Sequence, residues 1–186
     1  MVSIRPGGPG QRLRDYVTRG EAMSRVTMIQ HINIQISNRE RTREWYEKVL
    51  GAEFLDRGPE MNKRQLQLRI GNGEIHTTHT PNPNPAPSVH FAVEIHDWDE
   101  MIANLDKLGV PYTRTPGVKA QEGKSSYGRR EYSGGCYTYI RDPDGNGIEL
   151  VCHPLGLKDS RGNQVEVVHD PNSLTWARLP GFGPST

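Results

Sequence analysis

Two cysteines in 186 residues are too few for a disulfide framework, and Cys136 and Cys152 suit a reducing compartment. No stretch reaches the roughly 18 consecutive apolar residues that a membrane-spanning helix needs, so no membrane partner is expected. The arginines near the N-terminus lack the apolar run of a secretory signal, and a cytoplasmic location is the expectation. Charge of one sign is missing too. With 23 basic and 22 acidic side chains the net charge is +1, which offers no general attraction for nucleic acid or an anionic surface. At 33% hydrophobic and 24% charged residues, the chain can bury one core but not two large independent ones.

What is present is a repeat. Gln30-His31-Ile32-Asn33-Ile34-Gln35-Ile36 and Val89-His90-Phe91-Ala92-Val93-Glu94-Ile95 each set a histidine at the start of an alternating polar and apolar run. Each run is followed by a helix pattern that ends in Leu-Gly, at Leu50-Gly51 and Leu108-Gly109. Ser37 or Asn38 caps the first helix and Asp97 the second. Trp98, Met101, Ile102, Leu105 and Leu108 form the apolar stripe of the second. In the first unit, Leu66, Leu68 and Ile70 alternate with Gln65, Gln67 and Arg69, and Gly71-Asn72-Gly73 turns the chain into Glu74-Ile75-His76-Thr77-Thr78. In the second, a Gly/Lys/Ser/Arg-rich loop over 121–130 precedes a strand over 135–140. The turn Asp142-Pro143-Asp144-Gly145-Asn146 then leads to the strand Gly147-Ile148-Glu149-Leu150-Val151. The order in each unit is βαβββ, and the class is α+β. The organisation read from this is an N-terminal extension over 1–26, module one over 27–80, a proline linker over 81–87, module two over 88–153 and a C-terminal extension over 154–186. The first extension frays or wraps a neighbour, and the second, with Val165 to Val168 and Trp176, covers an edge.

Strand alternation puts His31, Asn33 and Gln35 on one face and Ile32, Ile34 and Ile36 on the other. By the same rule His90 and Glu149 lie on the polar faces of their strands. A lone histidine or glutamate there would be an ordinary surface residue, but symmetric placement in a repeat makes His31, His90 and Glu149 a candidate divalent-metal set. His76 occupies in module one the position of Glu149 in module two and is the fourth candidate. Asn33, Gln67 and Arg69 are candidate substrate contacts, Arg69 for a carboxylate. A solvated strand face is the equal alternative for all three. His79 reads as a surface residue, and His96, His153 and His169 have no comparable placement.

The double βαβββ plan, His31, the helix end Trp45-Tyr46-Glu47-Lys48-Val49-Leu50-Gly51, His90 and the run Asp142-Pro143-Asp144-Gly145-Asn146-Gly147-Ile148-Glu149 resemble the vicinal oxygen chelate superfamily. Glyoxalase I, extradiol dioxygenases, fosfomycin-resistance transferases and bleomycin-binding proteins belong to it. The resemblance covers about residues 27–153. It implies paired modules whose mixed sheet curls into a half-barrel cleft with helices outside. It also implies a divalent ion (Fe, Mn, Ni, Co or Zn) chelating two adjacent oxygens of a small substrate, with His76 and Tyr139 as catalytic candidates. Glyoxalase I-like members take one ligand from each of four equivalent strands, and His76 departs from their second ligand, a glutamate. Extradiol dioxygenases use a His, His, Glu triad that His31, His90 and Glu149 match, with Tyr139 ahead of the Asp-Pro turn. The further histidine they carry upstream of that tyrosine is absent between Gly109 and Glu149. The expectation is therefore glyoxalase-like lyase or isomerase chemistry, with dioxygenase second and a non-catalytic drug- or metabolite-binding protein third. A homodimer is expected, the short linker favouring exchange of modules, in which case His31 and His76 meet the partner's His90 and the partner's Glu149.

Overall fold

A computed structural model describes residues 29–121, 123–130, 135–153, 157–158 and 164–165. The rest of both extensions, including 166–168 and Trp176, lies outside the described residues. The elements run β1 (His31–Ile36), α1 (Arg39–Leu50), β2 (Glu53–Phe54), α2 (Pro59–Arg64), β3 (Gln67–Ile70), β4 (Gly73–His79), β5 (His90–Glu94), α3 (Trp98–Leu108), β6 (Gly128–Arg130), β7 (Gly135–Arg141), β8 (Gly147–Cys152), β9 (Leu157–Lys158) and β10 (Gln164–Val165).

The two long helices begin and end as their sequences dictate. The Asn38 side chain accepts from the Arg41 amide at 2.9 Å, and the Asp97 side chain from the Glu100 amide at 2.9 Å. Gly51 and Gly109 follow as left-handed C-caps. Thr42, Tyr46 and Val49 form the buried stripe of α1, and Trp98 and Leu105 that of α3. The Asn104 amide on α3 donates to the carbonyls of Lys48 and Val49, filling acceptors that the last turn of α1 leaves open.

The strands form two separate four-stranded mixed sheets, ordered β1-β4-β3-β2 and β5-β8-β7-β6. In each, the first strand runs parallel to the last strand of its module and the other pairs are antiparallel. The two modules are thus copies in register as well as in order: Asn33 lies opposite His76, and Ala92 opposite Glu149. The single curled sheet forming a half-barrel is not what the chain builds. Both sheets are open, and among the described residues no backbone ladder joins one to the other. β1 and β5 each lie at the edge of their own sheet, and the proline-rich linker after His79 is poor in the amide donors that would extend either one. The modules are held together through side chains. Ile34, Ile36, Tyr46 and Val49 of the first share one core with Trp98, Leu105, Ile140 and Leu150 of the second.

A polar bolt complements that core. The turn between β7 and β8 reaches back across about a hundred residues of sequence: Asp144 accepts from the Ser37 amide at 3.1 Å, from the Ser37 hydroxyl at 2.6 Å and from the Arg41 guanidinium. Asn146 donates to the Gln35 carbonyl, and the Tyr46 hydroxyl donates to Asp142. Burial of Asp144 would raise its pKa, but the Ser37 hydrogen bonds and the Arg41 charge outweigh this and hold it below the ordinary carboxylate value. A carboxylate depressed in the fold contributes stability that is present above the unfolded-state pKa and is lost as pH falls through the folded value. Asp144→Ala should therefore cost about 2–4 kcal/mol near neutrality. Urea unfolding at several pH values should show its deficit against wild type shrinking below about pH 4. A deficit independent of pH would mean that the charge of Asp144 is not what joins the modules.

Candidate active site

Each module brings one histidine of its edge strand against one polar side chain of the neighbouring parallel strand. In module one the rings of His31 and His76 stack with centroids 4.1 Å apart and planes 12° from parallel. His31 is exposed, and its Nδ1 is 2.6 Å from the Gln30 side-chain oxygen. The Nε2 of His76 is 2.8 Å from Glu74, a buried carboxylate whose other oxygen receives the Arg57 guanidinium at 2.9 Å. In module two the Nε2 of His90 is 3.2 Å from Oε2 of Glu149, and Oε1 of Glu149 receives Arg130 at 3.1 Å. Both halves thus hold a buried carboxylate between an arginine and an imidazole. The carboxylates nevertheless sit at different places in the repeat, because Glu74 lies opposite His31 while the residue opposite His90 is Gly147.

Local sequence explains the placement in module two. A side chain at position 147 would meet the Val89 carbonyl at 2.7 Å and the Cβ of His90 at 3.0 Å, so glycine there lets β5 approach β8. Ile148 and Leu150 are fully buried, which fixes the phase of β8 and turns Glu149 to the opposite face. At Gly128 a side chain would overlap the Tyr137 ring. Without one, the ring lies across β6, and the guanidinium of Arg130 sits over it at 4.9 Å on its way to Glu149. Tyr139 packs edge-on against the His90 ring at 5.1 Å. Burial, then the charge of Glu149 and a hydrogen bond to it, raise the Tyr139 phenol above its ordinary value and keep it protonated.

The remaining candidates spend their polar groups on the protein. Arg69 pairs with Glu53 of β2. Gln67 is buried, accepting from Arg57 and donating to Gln65. Asn33 accepts from the Thr78 hydroxyl at 2.8 Å. His79 lies against the Ser37 carbonyl. Sequence reasoning missed Glu74, Arg57 and Arg130, and the single legible sign was that Glu74 and His76 share a strand phase. It also missed a cavity of about 210 Å³ beside His90 and Tyr139, walled by the segment 116–120 and the end of the proline linker.

Among the described residues, no three His, Cys, Asp or Glu side chains gather closely enough to hold a metal ion within one chain. The donor chemistry of His90 and Glu149 fits one nonetheless. Nδ1 of His90 is 3.0 Å from the Ser88 carbonyl, which can only accept, so Nδ1 carries the proton. In the neutral ring Nε2 is then a lone pair facing a carboxylate oxygen 3.2 Å away, a contact that either a second ring proton or a bound cation between them makes favourable. Two ligands each about 2.0–2.2 Å from one ion stand about 3.0–3.5 Å apart, which matches that separation.

This fold with paired polar half-sites defines a class of proteins that carry out small-molecule chemistry, often metal-assisted. The family model for the Glyoxalase/Bleomycin resistance protein/Dioxygenase superfamily matches residues 28–150, and the chain belongs to that superfamily. It is 26% identical over 148 residues to a trivalent organoarsenical cleaving enzyme of Bacillus sp. (strain MD1), covering 76% of this chain and 84% of that one. A crystal structure of a protein assigned to the glyoxalase family from Bacillus anthracis superposes with a TM-score of 0.57 at 25% identity, over 70% of this chain and 98% of the other. The genomically encoded fosfomycin resistance protein of Listeria monocytogenes shares the fold at a TM-score of 0.53 and 17% identity, over 70% and 96% of the two chains. Among the described residues no helix is long and apolar enough to cross a membrane.

Proposed function

We propose that the protein is a metal-dependent enzyme acting on a small substrate with adjacent oxygens, by glyoxalase-like lyase or isomerase chemistry. The observation that carries this reading is the facing of His90 Nε2 and Glu149 Oε2 across 3.2 Å, with the other ring nitrogen held by the Ser88 carbonyl and the other carboxylate oxygen by Arg130. His31, held in the same way by Gln30, supplies a second imidazole Nε2. His31, His90 and Glu149 would hold the ion. They meet across a homodimer, for which the exposed polar faces of β1 and β5 are suited. When bound, the divalent ion supplies Lewis-acid stabilisation of negative charge developing on the substrate oxygens.

The chain's own groups supply the proton chemistry. Glu74 accepts from Nε2 of His76, which leaves Nδ1 of that ring as the lone pair able to take a proton from a carbon next to a carbonyl. Arg57 holds Glu74 in place. Tyr139, held protonated, is placed to turn its hydrogen bond from Glu149 to a substrate oxygen at the His90 end of the site. A second reading, extradiol-type ring cleavage, is favoured by the two-histidine, one-carboxylate donor set with a tyrosine against it. The activity of the organoarsenical relative is not carried over. Trivalent arsenic calls for thiolates, and the two cysteines, Cys136 and Cys152, face each other on the side of the β7–β8 hairpin away from Tyr139 and Glu149. Protein reconstituted in turn with Fe, Mn, Ni, Co and Zn should isomerise the hemithioacetal of an α-ketoaldehyde and consume no oxygen with catechols. Oxygen uptake with catechol would move the assignment to the second reading.

A further inference from the structure

The cavity beside His90 and Tyr139 carries a chemistry that the metal set does not. Pro111, Pro116 and Val118 give it apolar walls, and two cations, Lys119 and Arg141, line it as well. An adjoining depression of about 460 Å³ shares both cations, so they stand where the two hollows meet. Neither cation has a carboxylate partner there. Lys119 makes no hydrogen bond or ion pair among the described residues. Arg141 donates to the carbonyls of Gly145 at 2.7 Å and Pro87 at 2.6 Å, which fixes the guanidinium, while among the described residues its charge has no carboxylate partner and three of its five N–H groups stay open. Asp142, the one acidic residue in the lining, is buried and turned to other work. Its two oxygens accept from the amides of Asp144 and Asn146, the Asn146 side chain and the Tyr46 hydroxyl. A hollow with apolar walls and two cations that no carboxylate pairs with among the described residues selects an anion with an apolar body. Its volume lies below the roughly 300–1,000 Å³ of pockets for drug-sized ligands, so the ligand is small.

We infer that this cavity binds a small carboxylate, its anionic group on Lys119 and Arg141 and its apolar body along Pro111, Pro116 and Val118, so that the substrate of the proposed enzyme is an acid presented to His90 and Tyr139. The substrate assignment rests on the proposed function, whereas the anion site itself does not. Arg141 offers the planar fork that a carboxylate matches with two hydrogen bonds, and Lys119 adds a point charge.

The test uses the full chain stripped of metal by EDTA, so its outcome is separate from metal retention. Benzoate and its neutral isostere benzamide are titrated while the backbone amide signals of Gly117, Lys119 and Gly147 are followed by NMR. Benzoate should move these signals to saturation, with at least tenfold weaker binding of benzamide. Lys119→Met should weaken benzoate at least tenfold, and Lys119→Arg should restore it to within about threefold of wild type. Absence of a benzoate response at these amides, equal binding of the two probes, or a Lys119→Met variant with unchanged affinity would each overturn the site.

Discussion

His90→Ala should abolish metal retention while leaving the fold intact. The variant removes a nitrogen lone pair that faces the Glu149 carboxylate at 3.2 Å, and nothing nearby replaces it, because Tyr139 meets the His90 ring edge-on and its phenol is held protonated. Glu149 then pairs with Arg130 alone, a neutral arrangement with no call for a divalent cation. After reconstitution and desalting, elemental analysis should fall from about one ion per chain to near zero, since losing one ligand of three leaves a site too weak to survive washing. The side chain of His90 is about 29% exposed and lies outside the shared core, so the midpoint of thermal unfolding in the metal-free state should move by only a few degrees. His79→Ala serves as the control, because that ring lies against the Ser37 carbonyl, outside the proposed set, and its loss should leave metal content unchanged. Full metal content in His90→Ala would defeat the assignment of the site and leave only family membership standing.

The sequence made some of this legible and hid the rest for identifiable reasons. Period-2 alternation is enforced in β1 and β8 by Ile34, Ile36, Ile148 and Leu150, all buried, and in β5 by Phe91 and Val93 packed against the core, so the facing of His31, His90 and Glu149 could be read from their neighbours. The caps at Asn38 and Asp97 were equally local. Asp142-Pro143-Asp144-Gly145-Asn146 was readable as a turn from its composition, but its role as the bolt between modules depends on Ser37 and Tyr46, roughly a hundred residues away, and no local pattern encodes that. The short helix α2 has no buried residue and hence no apolar stripe, leaving Pro59 in its first turn as the one signal. The strand β6, Gly128-Arg129-Arg130, is polar throughout and is a strand because it pairs with β7. Arg130 was missed with it. The separation of the two sheets was illegible for a related reason: whether edge strands join depends on backbone donors meeting across modules, and side-chain periodicity reports faces, not edges.

Mixing two defective variants should restore metal binding that neither has alone. If the set is completed between subunits, each ion takes His31 from one protomer and the partner's His90 and the partner's Glu149. His31→Ala and His90→Ala homodimers are then broken at both sites. In a heterodimer one site loses both histidines, while the other draws His31 from the His90→Ala chain and His90 and Glu149 from the His31→Ala chain, and is whole. Random reassociation from equal amounts puts about half of the dimers in the mixed form with one intact site of two, so metal content should recover to about one quarter of wild type. A site built within one chain predicts no recovery at any mixing ratio, because every chain in the mixture lacks one ligand. The same mixture made with His31→Ala and Glu149→Gln should behave alike, since the two altered positions lie on opposite halves of the proposed site. Recovery with the first pair and failure with the second would mean that His90 is shared between subunits but Glu149 is not. The pairing of His90 Nε2 with Glu149 Oε2 on neighbouring strands of one sheet stands against that outcome.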